Sequence, residues 1–152
     1  WTAVNQDSLG NRVRCERAVA RAFAAGERVV VDRCNHDRRQ RSHWTRLLAE
    51  SGGGGGAYVV WLDLPLDACV ARVLARKGHR TLPAKPQSAK IVRNLRDQFV
   101  EPRADLEAGL TAVLKVDASG LDIAFGGAGG LADALDDLPA SWPGEDAARL
   151  PS

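Results

Sequence analysis

Two hydrophobic rhythms alternate along the first 118 or so residues. Short continuous apolar runs give way to stretches in which apolar residues return every three or four positions. Residues 2–6 form a short run that predicts a strand. From Asn11 to Ala25, Val13, Cys15, Ala18, Val19, Ala22 and Phe23 recur at helical spacing, and Gly26 supplies a helix stop. RVVVD, Arg28 to Asp32, predicts a buried parallel strand, and Arg38 to Glu50 predicts a helix through Trp44, Leu47 and Leu48. AYVVWLDLP, beginning at Ala57, is the next strand and ends at Pro65. Residues 66–77 predict an amphipathic helix with Cys69, Val70, Val73 and Leu74 inward. GHRTLPAKPQ is a Gly/Pro-punctuated loop, a basic helix is expected over 88–99, and 109–117 reads as a last strand. SGGGGG at 51–56 is a surface connection. Strands alternating with helices predict an α/β fold with a parallel sheet.

Ligands of such sheets sit beyond the carboxyl ends of the strands. At one of those ends stands VNQDSLG, where Val4 leads into Asn5, Gln6 and Asp7. Two roles suit Asp7: accepting the proton of an attacking hydroxyl, or capping the helix that follows. Asp32, after three valines, occupies the place where phosphotransferases hold a Mg²⁺ shell, and is equally an ordinary loop acid. Arg72, Arg76, Lys77 and Arg80 cluster at a helix end and in the loop after it. Guanidinium groups there suit a phosphoryl-transfer transition state, and also complement a helix C-terminus.

Charge sharpens the picture. The chain has 152 residues and a net charge of +2, divided unevenly: residues 1–103 carry 19 Lys/Arg against 10 Asp/Glu, a net +9, and residues 104–152 carry 2 against 9, a net −7. A basic body with an acidic tail suits an anionic ligand, phosphate or nucleic acid, or is a solvated Arg-rich surface. Arg33, Arg38, Arg39, Arg41 and Arg46 gather around one loop and helix and could track a nucleic-acid backbone, with Trp44 either stacking on a base or in the core. His36, His43 and His79 show no ligand spacing and read as incidental. Three widely spaced cysteines argue against a disulfide framework or a zinc site and for a reducing compartment. No apolar run is long enough to span a membrane. The chain begins at Trp1 rather than Met, which is expected of a fragment. Residues 1–118 are expected to form one domain and 119–152 an acidic Gly/Ala/Pro-rich tail or linker.

VNQDSLG, with RCERAVARAFAAGERVVVDRCNHDRRQRSHW, resembles the polynucleotide 5′-hydroxyl kinases, and most of all the kinase-like module of aprataxin-related DNA-repair proteins. The resemblance covers residues 1 to about 118 through VN-x-D-x-LG, DR-x-N-x-D-x-x-x-R and GH after an Arg-bearing helix. It implies a P-loop kinase-like sheet and ATP- and Mg²⁺-dependent phosphorylation of 5′-hydroxyl ends of DNA or RNA in strand-break repair. It also implies residence in the nucleus, with the cytoplasm as the alternative, and further domains of a larger repair protein as partners. By that resemblance Asp7 is the general base and Arg76 the lid arginine. By the same resemblance Asn5 and Gln6 lie beside the acceptor, Asp32 closes the second motif strand with Asn35 and Arg41 as its polar companions, and Arg72 or Arg80 joins Arg76 at the ATP phosphates. Asn35, Arg41 and, from the basic patch, Arg38 are counted with the acceptor-binding residues, and Asp32, Arg72 and Arg80 with the ATP-binding ones. One element is missing: the chain contains no G-x-x-x-x-G-K-[ST], and no Lys-Ser or Lys-Thr follows the glycines at 52–56. With that loop the resemblance implies loss of the first, central strand. The chain alone is then expected to bind ATP poorly or not at all, and to be unstable or expose an apolar groove. A small-molecule kinase and a non-catalytic nucleic-acid-binding module are the alternatives.

Overall fold

A computed structural model describes residues 1–52, 55–79 and 81–119. The elements run β1 (Thr2–Asn5), α1 (Gln6–Leu9), α2 (Arg12–Ala24), β2 (Val29–Asp32), α3 (Arg38–Glu50), β3 (Ala57–Asp63), α4 (Leu66–Ala75), α5 (Pro86–Asp97) and β4 (Leu110–Asp117). The α/β class is as expected, with parallel strands and helical crossovers. The expected tail lies outside the described residues apart from Ser119, and so does Arg80.

Local chemistry explains most of the boundaries. Asn11 caps α2, its Oδ1 accepting the Arg14 N–H at 3.0 Å. At the other end Gly26 adopts φ 73°, and the N–H groups of Gly26 and Glu27 donate to the carbonyls of Phe23 and Ala22, each at 2.9 Å. That pairing ends the helix with its last carbonyls satisfied. Asp37 caps α3 by accepting the Gln40 N–H. Helix α5 starts at Pro86, two residues before the expected start, because proline is preorganised for a first helical turn. Helix α4 stops at Ala75 instead of reaching residue 77: Arg76 is extended and Gly78 takes φ 70°, turning the chain sharply.

The single expected sheet is instead two small parallel sheets. β1 pairs with β2, in the register Asn5 opposite Asp32, and β3 pairs with β4. β2 and β3 are not hydrogen-bonded to each other. The valines of β2, expected to be buried, are therefore only partly so, each strand having, among the described residues, a neighbour on one side.

The core of the first half is Val4, Cys15 and Val19, with Phe23, Val31 and Trp44 packed against it. Full burial stabilises a valine by about 1.5–3 kcal/mol over exposure. In the second half Val70, Val73, Ala89 and Leu110 are buried, and the Trp61 and Phe99 rings lie 5.4 Å apart. The halves are joined through α3. The Val100 N–H donates to the His36 carbonyl at 2.8 Å, and Arg41 forms two hydrogen bonds to Glu107, 66 residues away. Among the described residues no helix is long and apolar enough to cross a membrane.

Candidate functional site

The site begins where β1 and β2 end side by side. Asn5 Nδ2 donates to Asp32 Oδ2 at 2.6 Å, and Asn5 Oδ1 accepts the Ser8 N–H at 2.9 Å as the cap of α1. Two expected site residues are thus brought together, with Asn5 fastening both strand ends. Asn5 and Asn11 do the capping, so Asp7 does not cap a helix. Gln6 opens α1 with its Oε1 buried and without a hydrogen-bond partner among the described residues, which is uncommon for a buried polar atom.

Asp7 reaches out of the first turn of α1 to a distant segment. Its Oδ1 accepts a hydrogen bond from the Thr81 hydroxyl at 2.8 Å, and its Oδ2 lies 3.6 Å from His79 Nε2. His79 Nδ1 accepts the Leu82 N–H at 3.0 Å. A neutral imidazole with Nδ1 accepting carries its proton on Nε2, the nitrogen that faces Asp7. The turn at Gly78 directs this loop back toward Asp7. His79 is therefore not incidental: it is part of the site, and 72 residues of separation hid it from a local reading.

Cys34 gauges the electrostatics. Its thiol is exposed yet closely surrounded by protein, and that desolvation raises its pKa, as do the charges of Asp7 and Asp32, against the opposing pull of Arg33. Asp7, Asp32 and Arg33 thus act on one small region. Arg33 also leads into a hollow of about 490 Å³ lined by Asn11, Arg12, Arg14, Arg17, Arg33 and Gln40. Arg12 spends its charge on Glu16 at 3.1 Å and donates to His43 at 2.7 Å. Burial and the Arg12 charge push the His43 pKa down, in line with Nε2 accepting the Arg12 N–H. Arg14 and Arg17 have no carboxylate partner among the described residues. Arg12, Arg14 and Arg17 were overlooked in the sequence because they alternate with the core positions of α2.

Two other expected residues, Arg41 and Asn35, tie the scaffold together. Arg41 is 4% exposed; its Nε and Nη2 bind Glu107 at 2.7 and 2.6 Å, and its Nη1 donates to the Asn35 carbonyl. Asn35, at φ 38°, accepts the Trp44 indole N–H at 2.8 Å. Trp44 packs on the core with Arg33 5.8 Å over its ring. Arg38 lines a separate hollow of about 250 Å³ with Arg39 and Glu107. Arg72 donates to the Ala118 carbonyl at 3.2 Å. Arg76 ends α4, three residues before His79.

Glu107 yields a pH prediction. Burial alone would raise its pKa, but hydrogen bonds from Arg41 and the Arg103 N–H, with the charges of Arg41 and Arg38, outweigh it and hold the pKa below 4.5. A carboxylate depressed on folding adds stability above its unfolded pKa, and that stability is lost as pH falls through the folded value. Urea midpoints should therefore drop as pH falls below the ordinary glutamate range, about 4.3, and Glu107→Gln should flatten that drop. An unchanged pH profile in the variant would count against the pair as the cause.

Among the described residues no group of three His, Cys, Asp or Glu side chains is placed to hold a metal ion. No protein-family model matches the chain. Over 92 residues, 60% of the chain, it is 30% identical to a protein described as "Transcription factor bHLH140" from Arabidopsis thaliana. Those residues are 10% of that protein, so the chain spans about a tenth of the length of the curated relative it matches. These findings correct the resemblance drawn from VNQD, DRCN and GH. The similarity falls on a protein described as a transcription factor, no phosphotransferase family is matched, and the phosphate loop that would be most diagnostic is absent. Short motifs at strand ends and turns recur wherever an α/β chain needs the same caps, and they do not place this chain among the polynucleotide 5′-hydroxyl kinases.

Proposed function

We propose that this chain carries the acceptor side of a phosphotransferase acting on 5′-hydroxyl ends of DNA or RNA. The observation that carries this reading is the Asp7 carboxylate, which already accepts a hydrogen bond from a hydroxyl at 2.8 Å at the end of a parallel strand. That is the geometry a general base needs toward the hydroxyl it deprotonates. Gln6, with its unpartnered Oε1, lies next in sequence. Arg14, Arg17 and Arg33 line a hollow on the same half of the chain, where guanidinium groups suit the phosphodiesters of the acceptor strand.

The chain's own residues do not fit ATP and Mg²⁺ by themselves. There is no phosphate-cradling loop in the sequence and no three-ligand cluster among the described residues. In this proposal the donor is held by a segment that residues 1–152 do not contain. Its strand would lie between β2 and β3, joining the two half-sheets into one P-loop kinase-like sheet. Asp32, fixed by Asn5, would then face the donor, with Arg76 and the loop after it closing over the phosphates.

Salt tests the acceptor. Binding of a fluorescent 5′-hydroxyl oligonucleotide should weaken with a log–log slope of about −2 to −3, as expected for three or four phosphate contacts on a single strand. Arg17→Ala should reduce the slope by about 0.7. A slope near zero would eliminate a polyanionic acceptor and leave a small-molecule one.

A further inference from the structure

We propose that Thr81 is an internal stand-in for the acceptor, its hydroxyl holding the place on Asp7 that the acceptor hydroxyl takes, while His79 is a positioning residue that orients the same carboxylate. The inference rests on the function proposed above and adds how the site is gated. Three contacts carry it. Thr81 Oγ1 donates to Asp7 Oδ1 at 2.8 Å, a hydroxyl-to-carboxylate bond of the kind an acceptor would make. The Leu82 N–H holds His79 Nδ1 at 3.0 Å, so the ring cannot turn without breaking a bond to its own backbone. Nε2–H then stands 3.6 Å from Asp7 Oδ2, the oxygen Thr81 does not use.

The two partners differ in what they can yield. Thr81 is exposed, and its hydroxyl can rotate to water when another hydroxyl arrives. His79 is anchored at its far nitrogen and remains. One carboxylate oxygen is thereby kept against an N–H donor while the other is passed from one hydroxyl to the next. No covalent bond changes in this exchange. Arg76 and Gly78 stand just upstream of His79.

Hydrogen–deuterium exchange on the 152-residue chain and oligonucleotide anisotropy test this together. Thr81→Val, which keeps the shape and loses the hydroxyl, should raise exchange over residues 79–82 and tighten binding of a 5′-hydroxyl oligonucleotide by about two- to ten-fold. Thr81→Ser should behave as wild type. Adding the oligonucleotide to wild type should raise exchange over 79–82. In a protein that joins these residues to the proposed donor-binding segment, His79→Ala should lower kcat with the acceptor KM unchanged. His79→Gln, which keeps an N–H toward Asp7, should restore most of it. Binding with no change at 79–82, or a Thr81→Val variant that matches wild type in both measurements, overturns the stand-in alone. Absence of oligonucleotide binding overturns the functional reading and the displacement with it.

Discussion

Under the proposed function, Asp7→Asn in a protein that joins these residues to a donor-binding segment should lower phosphorylation of a 5′-hydroxyl oligonucleotide by about 10²–10⁴-fold, the usual range for loss of a positioned general base. Asparagine retains an acceptor for the Thr81 hydroxyl but cannot take up a proton, so fold and acceptor binding should survive. The side chain is 47% exposed and contributes to no core, which separates chemistry from stability. Asp7→Ala should show the same kinetic loss. Turnover at the wild-type rate in either variant would remove Asp7 from the reaction. A joined protein that binds the oligonucleotide, salt-dependently, yet never phosphorylates it would favour a non-catalytic nucleic-acid-binding module.

The second large effect concerns stability. Arg41→Ala should destabilise the chain by about 3–5 kcal/mol, because it leaves Glu107 buried without its partner. The two side chains are 4% and 7% exposed, so solvent screens the pair little. A loss of that size is a large share of the roughly 5–15 kcal/mol that holds a domain together. Replacing both residues, Arg41→Met with Glu107→Leu, should recover most of it, since no charge then remains stranded. Urea midpoints at constant m-value give the answer. If Arg41→Ala left the midpoint unchanged and weakened only oligonucleotide binding, Arg41 would return to the acceptor role that its sequence position suggests.

Those two residues show how differently sequence and fold speak. Asp7 was legible because a polar cluster ending an apolar run is local information: Val4, Asn5, Gln6 and Asp7 are neighbours, and strand geometry carries them to one end of the sheet. Arg41 looked like a member of a basic patch for the same local reason. Its partner is 66 residues away, and no spacing rule connects α3 to the turn before β4. Arg14 and Arg17 were visible as letters but not as a lining, because which face of α2 meets the hollow depends on how the helix packs against Arg33 and Gln40.

Sequence alone determined the order of strands and helices, the stop at Gly26 and the candidacy of Asp7, since each depends on bonds within a few residues along the chain. Tertiary structure decided that the strands form two pairs instead of one sheet. It also decided that Arg41 holds Glu107 and that His79 and Thr81 cover Asp7. Hydrogen bonds and ion pairs act over a few ångströms whatever the separation in sequence, so groups 66 to 74 positions apart meet only once the packing of the helices has brought them there.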